Sequence, residues 1–358
     1  GEEHPDVALS MNNLAALYQS QGKYKAAEPL YVDALAMRKK LLGEEHPDVA
    51  LSMNNLAALY KSQGKYEVAK PLCVDALAIS KKLLWEEHPD VAQSMNNLAA
   101  LYYSQGKYQA VEPLLVDALA MRKKLLVEEH PDVAQSMNNL AALYYSQGKY
   151  QAVEPLLVDA LAMRKKLLVE EHPDVAQSMN NLAALYYSQG KYEAAQPLYV
   201  DALAIRKKLL GEEHPDVASS MNNLAALYRI QGKYEAAEPL YVDALAMWKK
   251  LLGEEHPDVA QSMNNLAALY YSQGKYEVAE PLYVDALAIS KKLLGEEHPD
   301  VASSMNNLAA LYRIQGKYEA AEPLYVDAIK ILETVLGNEH PWTITVRNNY
   351  QIMLDEMS

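Results

Sequence analysis

Residues 94–108 read SMNNLAALYYSQGKY, and closely similar stretches recur every 42 residues along the chain. The adjacent asparagines mark the period, although asparagine is a poor helix former whose side chain competes for backbone hydrogen bonds. The pairs are Asn12 and Asn13, Asn54 and Asn55, Asn96 and Asn97, Asn138 and Asn139, Asn180 and Asn181, Asn222 and Asn223, Asn264 and Asn265, Asn306 and Asn307, and Asn348 and Asn349. A fixed period of this length predicts a repeat architecture rather than separate globular domains.

The repeat accounts for the whole chain of 358 residues. Eight copies of 42 residues cover 1–336, and a ninth, half-length copy covers 337–358. We therefore predict eight repeats followed by a closing helix that caps the array. Gly1 opens in phase with the repeat and without an initiating methionine, which suggests a fragment of a longer protein.

The sequence of each copy predicts two helices. In the first copy, a helix start is expected near Pro5, and apolar residues then follow at spacings of three and four. Gly22 supplies the conformational freedom that a tight turn between helices requires. The second helix is predicted from about Tyr24 to Leu42, and Gly43 ends it.

A proline lies inside the second predicted helix of each copy. Pro29 lacks the N–H that would complete one helical hydrogen bond, and its ring crowds the preceding turn. The equivalent proline recurs in all eight full copies. We therefore expect a mild bend in each second helix.

The pattern of large and small side chains resembles the tetratricopeptide repeat. The matching residues of the first copy are Met11, Leu14, Ala15, Tyr18, Gly22, Tyr24, Ala27, Tyr31 and Ala34. Met11 and Ala15 stand where that family usually has tryptophan and glycine, and the period of 42 residues exceeds the usual period of about 34. The motifs HPDVA, NNLAALY, QGKY and AEPLY look like the kinesin light chain type of this repeat, which also occurs in bacterial multi-repeat proteins.

The resemblance implies an all-α fold, a right-handed superhelical solenoid of helix-turn-helix repeats. It also implies that extended peptides bind in a concave groove lined by the first helix of each copy. The last helix resembles the closing helix of such arrays, since Arg347 and Gln351 replace the Met and Ala that would face a second helix. No matching cap precedes the first copy, so we expect exposed apolar surface there, open to end-to-end self-association through the uncapped N-terminal repeat.

Differences between copies indicate where specificity would lie. With positions numbered as in the first copy, the first-helix differences fall at positions 9, 19 and 20. At about 100° per residue, positions 9, 12, 16, 19 and 20 share one face, which the resemblance assigns to the groove. We expect the first asparagine of each pair to bind a ligand's backbone there, and the second to hydrogen-bond between copies. The predicted groove residues are Asn12, Asn54, Asn96, Asn138, Asn180, Asn222, Asn264, Asn306, Gln93, Gln135, Gln177, Gln261, Lys61, Tyr103, Tyr145, Tyr187, Arg229, Tyr271 and Arg313.

The residues at position 19 have two interpretations. Tyrosines there offer flat amphipathic area to a ligand, but tyrosine at a helix edge is also common in simple packing. The cations Lys61, Arg229 and Arg313 would let an acidic or carboxylate-bearing segment dock near the sixth and eighth copies. A solvated face is the alternative for these charges.

No catalytic arrangement is visible in the sequence. The nine histidines recur once per helix pair, which places neighbours roughly 10 Å or more apart, too far to share a metal ion. A hydrogen bond between copies or a helix cap is the expected role of these histidines. Phosphate loops, nucleophiles with a paired base and cysteine clusters are also missing. We expect no enzymatic activity, no metal and no cofactor.

Charge and cysteine content narrow the partners and the compartment. The net charge of −14 argues against a nucleic-acid partner. The sequence contains no run of about 18 apolar residues, so it predicts no membrane span. The single cysteine, Cys73, excludes an internal disulfide, fits a reducing compartment and is expected to be a small buried hydrophobe. We therefore expect a cytoplasmic location.

These observations predict a protein–protein interaction scaffold whose partner is an unidentified protein or peptide. The alternative is a structural or self-assembling module, such as a spacer or the sensor arm of a larger signalling protein. Near-identical copies and the uncapped first repeat favour that alternative.

Overall fold

The computed structural model describes residues 4–20, 23–83, 88–126 and 129–357, and within these residues it contains α-helices and no strand. We call the odd-numbered helices the A helices and the even-numbered helices the B helices. Their bounds are α1 (Pro5–Ser20), α2 (Tyr24–Leu42), α3 (Pro47–Ser62), α4 (Tyr66–Leu83), α5 (Pro89–Ser104), α6 (Tyr108–Leu125), α7 (Pro131–Ser146), α8 (Tyr150–Leu167), α9 (Pro173–Ser188), α10 (Tyr192–Leu210), α11 (Pro215–Ile230), α12 (Tyr234–Leu252), α13 (Pro257–Ser272), α14 (Tyr276–Leu294), α15 (Pro299–Ile314), α16 (Tyr318–Val335) and α17 (Pro341–Met357).

The helices form successive pairs. An A helix packs against the B helix that follows it, as in α3 with α4 and α13 with α14, and that B helix packs against the next A helix. Neighbouring A helices also touch directly, as in α3 with α5 and α11 with α13. The predicted all-α solenoid of helix pairs is confirmed.

The chain forms two compact units. The first comprises residues 1–144 and 151–178, and the second comprises residues 145–150 and 179–358. The second unit thus includes the turn between α7 and α8, and α9 is divided between the two units.

A histidine directly precedes every A helix from α1 to α17. His46 accepts a hydrogen bond at Nδ1 from the backbone N–H of Asp48 over 3.1 Å, and the other eight histidines make the equivalent bond over 3.1–3.2 Å. The bond satisfies one of the backbone donors that a helix start leaves without an intrahelical partner. The predicted role as a helix cap is confirmed.

Glycine shapes both turns of the repeat. The glycine between the A and B helices has φ between 70° and 73° from Gly64 to Gly316, a left-handed conformation that favours glycine. Gly22, the equivalent in the first copy, lies outside the described residues. Four B helices, among them α2 and α10, end at the second leucine of a KKLL segment and are followed by glycine with φ between 82° and 87°.

Copies that lack the second glycine have shorter B helices. α6 and α8 end at the first leucine, and the glycine position holds Val127 and Val169 in these copies. Val127 lies outside the described residues, whereas Val169 is 72% exposed. After a KKLL segment, glycine thus accompanies one more helical residue before the chain turns, whereas α16 ends at Val335 although Gly337 follows it.

The core is built from small and large side chains that alternate along facing helices. Ala15, Ala27 and Ala34 are 0% exposed and allow close approach of helices, while Tyr31 fills the space beside them at 2% exposure. Cys73 takes the place of Tyr31 in the second copy and is buried, as predicted. Each B helix continues through its proline without interruption, and the bend at that proline stays a prediction.

The two ends of the array differ. Leu14 and Leu17 in α1 are 41% and 51% exposed, whereas the equivalent Leu56 and Leu59 in α3 are 4% and 0% exposed. The predicted apolar surface on the first helix is confirmed, and self-association through it stays a prediction. On α17, Arg347 donates from Nε to Glu333 over 3.1 Å.

Further polar side chains lie on α17 near the pair of Arg347 and Glu333. Gln351 is exposed and donates to the Asp355 carboxylate over 2.8 Å. Arg347 also donates from Nη2 to the side-chain oxygen of Asn338 over 2.8 Å. The side of the last helix where a further B helix would pack thus carries polar groups beside Ile344, which is 41% exposed, and the role of this helix as a cap stays a prediction.

We predict that Gly211→Val will destabilise the fold by about 1–3 kcal/mol. No atom lies within 4 Å of a Cβ added at Gly211, so the cost would come from its φ of +82° rather than from a clash. Val169→Gly is the reciprocal change and should extend α8 to Leu168. Urea unfolding followed by circular dichroism measures the first effect, and the 13Cα shift of Leu168 measures the second. Unchanged stability in Gly211→Val would contradict the prediction.

Candidate functional site

One stripe of each A helix is left open by the surrounding helices. In α3, Asp48 and Leu51 are exposed, and Asn55, Ala58 and Ser62 are half-buried. These residues follow each other at spacings of three and four, so they form one face of the helix. We call the surface formed by positions 9, 13, 16 and 20 of the A helices the A face.

The first asparagine of each pair does not lie on the A face. From Asn12 to Asn264 these side chains are only 2–8% exposed. Each donates from Nδ2 to the hydroxyl of a serine 40 residues later, in the next A helix, over 2.8–3.4 Å. The prediction that these seven amides point into the groove is wrong, because their donors are used to join neighbouring copies.

Asn306 is the exception among the first asparagines. Position 10 of the next copy is Val346, which cannot accept a hydrogen bond. Asn306 is half-buried and instead accepts from Asn349 Nδ2 over 3.0 Å. It too contacts the neighbouring A helix.

The second asparagine of each pair borders the A face. Asn97 accepts from Gln93 at position 9 over 2.9 Å, and Asn139 accepts from Gln135 over 2.7 Å. Some second asparagines also reach the preceding copy, as Asn139 does by donating to Asn96 over 3.0 Å. At about 100° per residue, position 13 lies about 40° from the middle of positions 9, 16 and 20, while position 12 lies about 60° away. That comparison would have assigned the two asparagines correctly.

The B helix carries a buried arginine, at position 38 of the repeat, whose role was not predicted from the sequence. It occurs in four copies, as Arg38, Arg122, Arg164 and Arg206, and is 1–5% exposed. Arg122 donates from Nη1 to the Ser136 hydroxyl and to the Asp132 backbone carbonyl, each over 2.9 Å. The signal was present, because this position changes to Ser80, Trp248 or Leu332 in other copies while the lysines beside it mostly remain.

In Arg122 and Arg164, the buried guanidinium donates to a backbone carbonyl and to uncharged side chains. Burial lowers the pKa of Arg122 and of Arg164, and the nearby charge of Asp132 or Asp174 partly offsets this effect. The second nitrogen of each arginine, Nη2, donates over 2.6 Å to the amide oxygen of a glutamine at position 9. A buried cation thus fixes the orientation of a side chain on the A face.

The result in the first unit is a chain of hydrogen bonds that reaches the surface. Arg122 holds the oxygen of Gln93, whose amide nitrogen then donates to Asn97. Arg164 holds Gln135, which donates to Asn139. These glutamines are exposed or half-buried, so fixed amide groups line the A face.

The remaining predicted glutamines lie on the same face. Gln261, in the second unit, is exposed and donates to Asn265 over 3.1 Å. Its copy has Ser290 instead of arginine at position 38, so no buried guanidinium orients it. Gln177 is half-buried.

The tyrosines at position 19 pack edge-on or tilted against the tyrosine that begins the following B helix. The ring centroids are 5.2 Å apart for Tyr103 and Tyr108, and 5.5–5.9 Å apart for the equivalent pairs of Tyr145, Tyr187 and Tyr271. All four position-19 rings are half-buried. Packing between the helices of one copy therefore accounts for part of each ring, and contact with a ligand stays a prediction.

The three cations at position 19 have different surroundings. Lys61 is half-buried, and its charge acts on the thiol of Cys73. Arg313 forms an ion pair with Glu356 of α17, so it is not the isolated positive point that the sequence predicts. Arg229 donates to the Ser272 hydroxyl over 3.2 Å.

Within the described ranges, no group of three or more His, Cys, Asp or Glu side chains is arranged to hold a metal ion. Over the same residues, the helices are either too short or too polar to cross a bilayer.

The sequence matches the profile of the tetratricopeptide repeat over residues 6–82, 48–124, 112–166, 132–208, 174–250, 216–292, 258–334 and 300–357. Because these matches together span 6–357, the chain belongs to the tetratricopeptide repeat family. Members of this family are generally non-enzymatic, and membership indicates a protein–protein interaction scaffold. Curated proteins give no match to the chain.

Several solved structures are similar. A kinesin light chain from Podosopora anserina with nearly identical repeats is 33% identical, with coverage of 57% of this chain and 98% of that chain and a TM-score of 0.45. BtubC (BKLC) from P. vanneervenii is 28% identical, with 66% and 92% coverage and a TM-score of 0.48. The match to the family profile confirms the predicted tetratricopeptide repeat.

A Rap protein complexed with competence and sporulation factor is similar over a larger part of the chain. Its TM-score is 0.64, and the match covers 93% of this chain and 99% of that one. At 15% identity, this likeness shows the fold alone.

We predict that Ser136→Ala will destabilise the first unit by about 1–3 kcal/mol, because Arg122 and Asn96 each lose a buried acceptor. Ser10→Ala is the matched control at the same position of the first copy. Ser10 is exposed and bonds only the carbonyl of Asp6, so its loss should cost no more than about 0.5 kcal/mol. Urea unfolding of both variants tests the prediction, and equal losses would contradict it.

We predict that Cys73 will resist modification in the folded protein. Burial raises the pKa of its thiol to about 11, and the nearby Lys61 charge lowers it only in part. At pH 8 only about one thiol in a thousand would be the reactive thiolate. Reaction with a disulfide reagent should be slow until urea unfolds the chain. Complete labelling of the native protein within the mixing time would contradict this assignment.

Proposed function

We propose that this scaffold binds extended peptide segments along the A face. The observation that carries the proposal is the orientation of free amide groups on that face. Asn97 and Asn265 each accept a hydrogen bond from a glutamine one helical turn earlier. Among the described residues, neither Asn97 nor Asn265 has a partner for its Nδ2 group, so each can donate to a ligand.

Fixed amides suit a peptide backbone. An asparagine or glutamine amide both donates and accepts, as a peptide group does, so it can bind the main chain whatever the side chains are. Arg122 orients Gln93 before any ligand arrives, which lowers the entropic cost of binding. The glutamine and asparagine of each copy therefore act as a preorganised pair.

The spacing of the copies also fits an extended ligand. Packed helices lie about 8–10 Å apart, and an extended chain rises about 3.3 Å per residue. About three ligand residues would then span one copy within either unit. The tyrosines at position 19 would offer partly exposed rings to the ligand's side chains.

We predict that Asn97→Ala will weaken peptide binding by about 2- to 12-fold, the worth of one hydrogen bond, with little loss of stability. Peptides would be selected from a random 12-residue library on the full chain, and their affinities measured by fluorescence anisotropy. Asn265→Ala is the equivalent test in the second unit.

Two controls make the result specific. Asn96→Ala removes the neighbouring buried amide and should lower stability, whereas Val116→Ala changes an exposed residue of α6 and should change neither property. Unchanged affinity in both Asn97→Ala and Asn265→Ala would contradict the proposal. A library that yields no binder, together with light scattering that grows with concentration, would favour the self-assembling spacer instead.

A further inference from the structure

Two A helices of the second unit have the same sequence but different neighbours. α11 and α15 both read PDVASSMNNLAALYRI. The second-to-last residue of each helix is the arginine at position 19, which is Arg229 in α11 and Arg313 in α15. Any difference between the two arginines must therefore come from the residues that adjacent copies place around them. The pair is an internal control for the chemistry of this position.

Arg313 is neutralised by the next helix. It forms an ion pair with the carboxylate of Glu356, at position 20 of α17. The Glu356 side chain remains 41% exposed while Arg313 is 17% exposed, so this carboxylate reaches the guanidinium from the solvent side. The chain itself thus shows where a carboxylate binds an arginine at position 19.

Arg229 lacks the equivalent acid. Ser272 holds in α13 the position that Glu356 holds in α17, and Arg229 donates from Nη1 to its hydroxyl over 3.2 Å. No carboxylate of the described residues lies within 4.0 Å of the Arg229 side chain. Serine is shorter than glutamate and uncharged, so no carboxylate neutralises the guanidinium there, and its other neighbours are the uncharged hydroxyls of Tyr187 and Tyr241.

A second cation repeats the contrast. Lys317, in the turn after α15, pairs with Glu280 over 2.9 Å. Lys233, in the turn after α11, meets Gln196 at the equivalent place, over 3.3 Å. Both substitutions around α11 remove a carboxylate, in a chain whose net charge is −14.

The surroundings of Arg229 can complete a site for an anion. An open cleft of about 840 Å³ gives access to the serine, and it is lined by Lys233, Ser272 and Lys275 together with the carboxylates of Glu235 and Glu238. Glu238 pairs with Lys275 over 4.0 Å, which leaves Lys233 as the lysine of this cleft that faces an uncharged partner. Burial raises the pKa of the Tyr187 and Tyr241 hydroxyls, and the neighbouring Arg229 counteracts this shift in both. These hydroxyls therefore stay protonated near neutral pH and can donate beside the guanidinium.

We propose that Arg229 and Ser272 bind a carboxylate group of a peptide ligand, at the place that Glu356 occupies on Arg313. The proposal rests on the proposed function in that a bound peptide supplies the carboxylate. It adds a preference for an acidic side chain or a chain terminus at the sixth copy. It also removes the eighth copy from the candidate acid-binding positions, because the Glu356 carboxylate already occupies the site on Arg313.

The test uses acetate as the simplest carboxylate and the full chain labelled with 15N-arginine. The sequence has seven arginines, and Arg229→Lys and Arg313→Lys assign the two relevant signals. The Nε–H of both residues is buried, which slows exchange of its proton with water. Sodium acetate is added against sodium chloride at matched ionic strength. We expect the Arg229 signal to shift saturably with acetate and the Arg313 signal to stay in place.

Two reciprocal variants decide the assignment. Glu356→Ser should open the site on Arg313, whose signal should then respond to acetate. Ser272→Glu should fill the site on Arg229 and abolish its response. An Arg229 shift equal to that in chloride, or one that persists in folded Ser272→Glu, would overturn the proposal. If Ser272→Glu lost its helical signal in circular dichroism, a silent Arg313 in Glu356→Ser would overturn it.

Peptides then separate the sources of the carboxylate and the two proposals. A selected peptide with one Glu and an amidated end should bind wild type about tenfold better than its Gln analogue. A neutral peptide with a free end tests the terminal carboxylate. Equal Glu and Gln affinities without an acetate shift would overturn the acid site and leave peptide binding intact. An acetate shift with no peptide binding would overturn the proposed function alone.

Discussion

A buried serine hydroxyl in the A helix joins each copy to the one before it. Ser136 accepts hydrogen bonds from Asn96 and from Arg122, both of which belong to the preceding copy. A helix pair of this kind cannot bury its apolar faces alone, so its stability depends on the neighbour that covers them. Polar groups trapped in that junction must find partners. The serine supplies an acceptor at one fixed place and thereby sets how successive pairs align.

Because the bond between asparagine and serine is the constant part of the junction, the B helix can vary beside it. Position 38 holds arginine, serine, Trp248 or Leu332, and each of these side chains is buried. Burying an arginine without a carboxylate is costly, and apolar side chains can fill such a place at least as favourably. The arginine copies retain the cost, and in the third and fourth copies the guanidinium orients a glutamine on the A face. The residue buried at position 38 of the junction thus affects how the polar groups on the A face are oriented.

Local features of the fold were predictable from the sequence, and features that depend on the neighbouring copy were not. The start of α1 at Pro5, the end of α2 at Leu42 and the histidine caps follow from residues within one turn of each other. The first asparagine was assigned to the wrong role because its position borders the groove arc and the serine that it bonds lies 40 residues away. The bond predicted between copies for the second asparagine does form at Asn139 and Asn349. The buried arginine was overlooked because an RKK segment at a helix end also fits charges placed to favour the helix dipole.

The dependence of a position on the neighbouring copies is clearest in the identical helices α11 and α15. Their own residues cannot explain why Arg313 is paired and Arg229 is not, since the difference lies in Glu356 and Ser272 of the following copies. In an array whose copies pack mainly against their neighbours, the binding property of a position depends on the adjacent copies as well as on its own. The contact of His340 with the Ser146 carbonyl, 194 residues away, is a long-range exception. Substitutions that look minor within a copy, such as glutamine for glutamate at position 28, can therefore change the charge presented by the copy beside it. Near-identical repeats need not present identical surfaces.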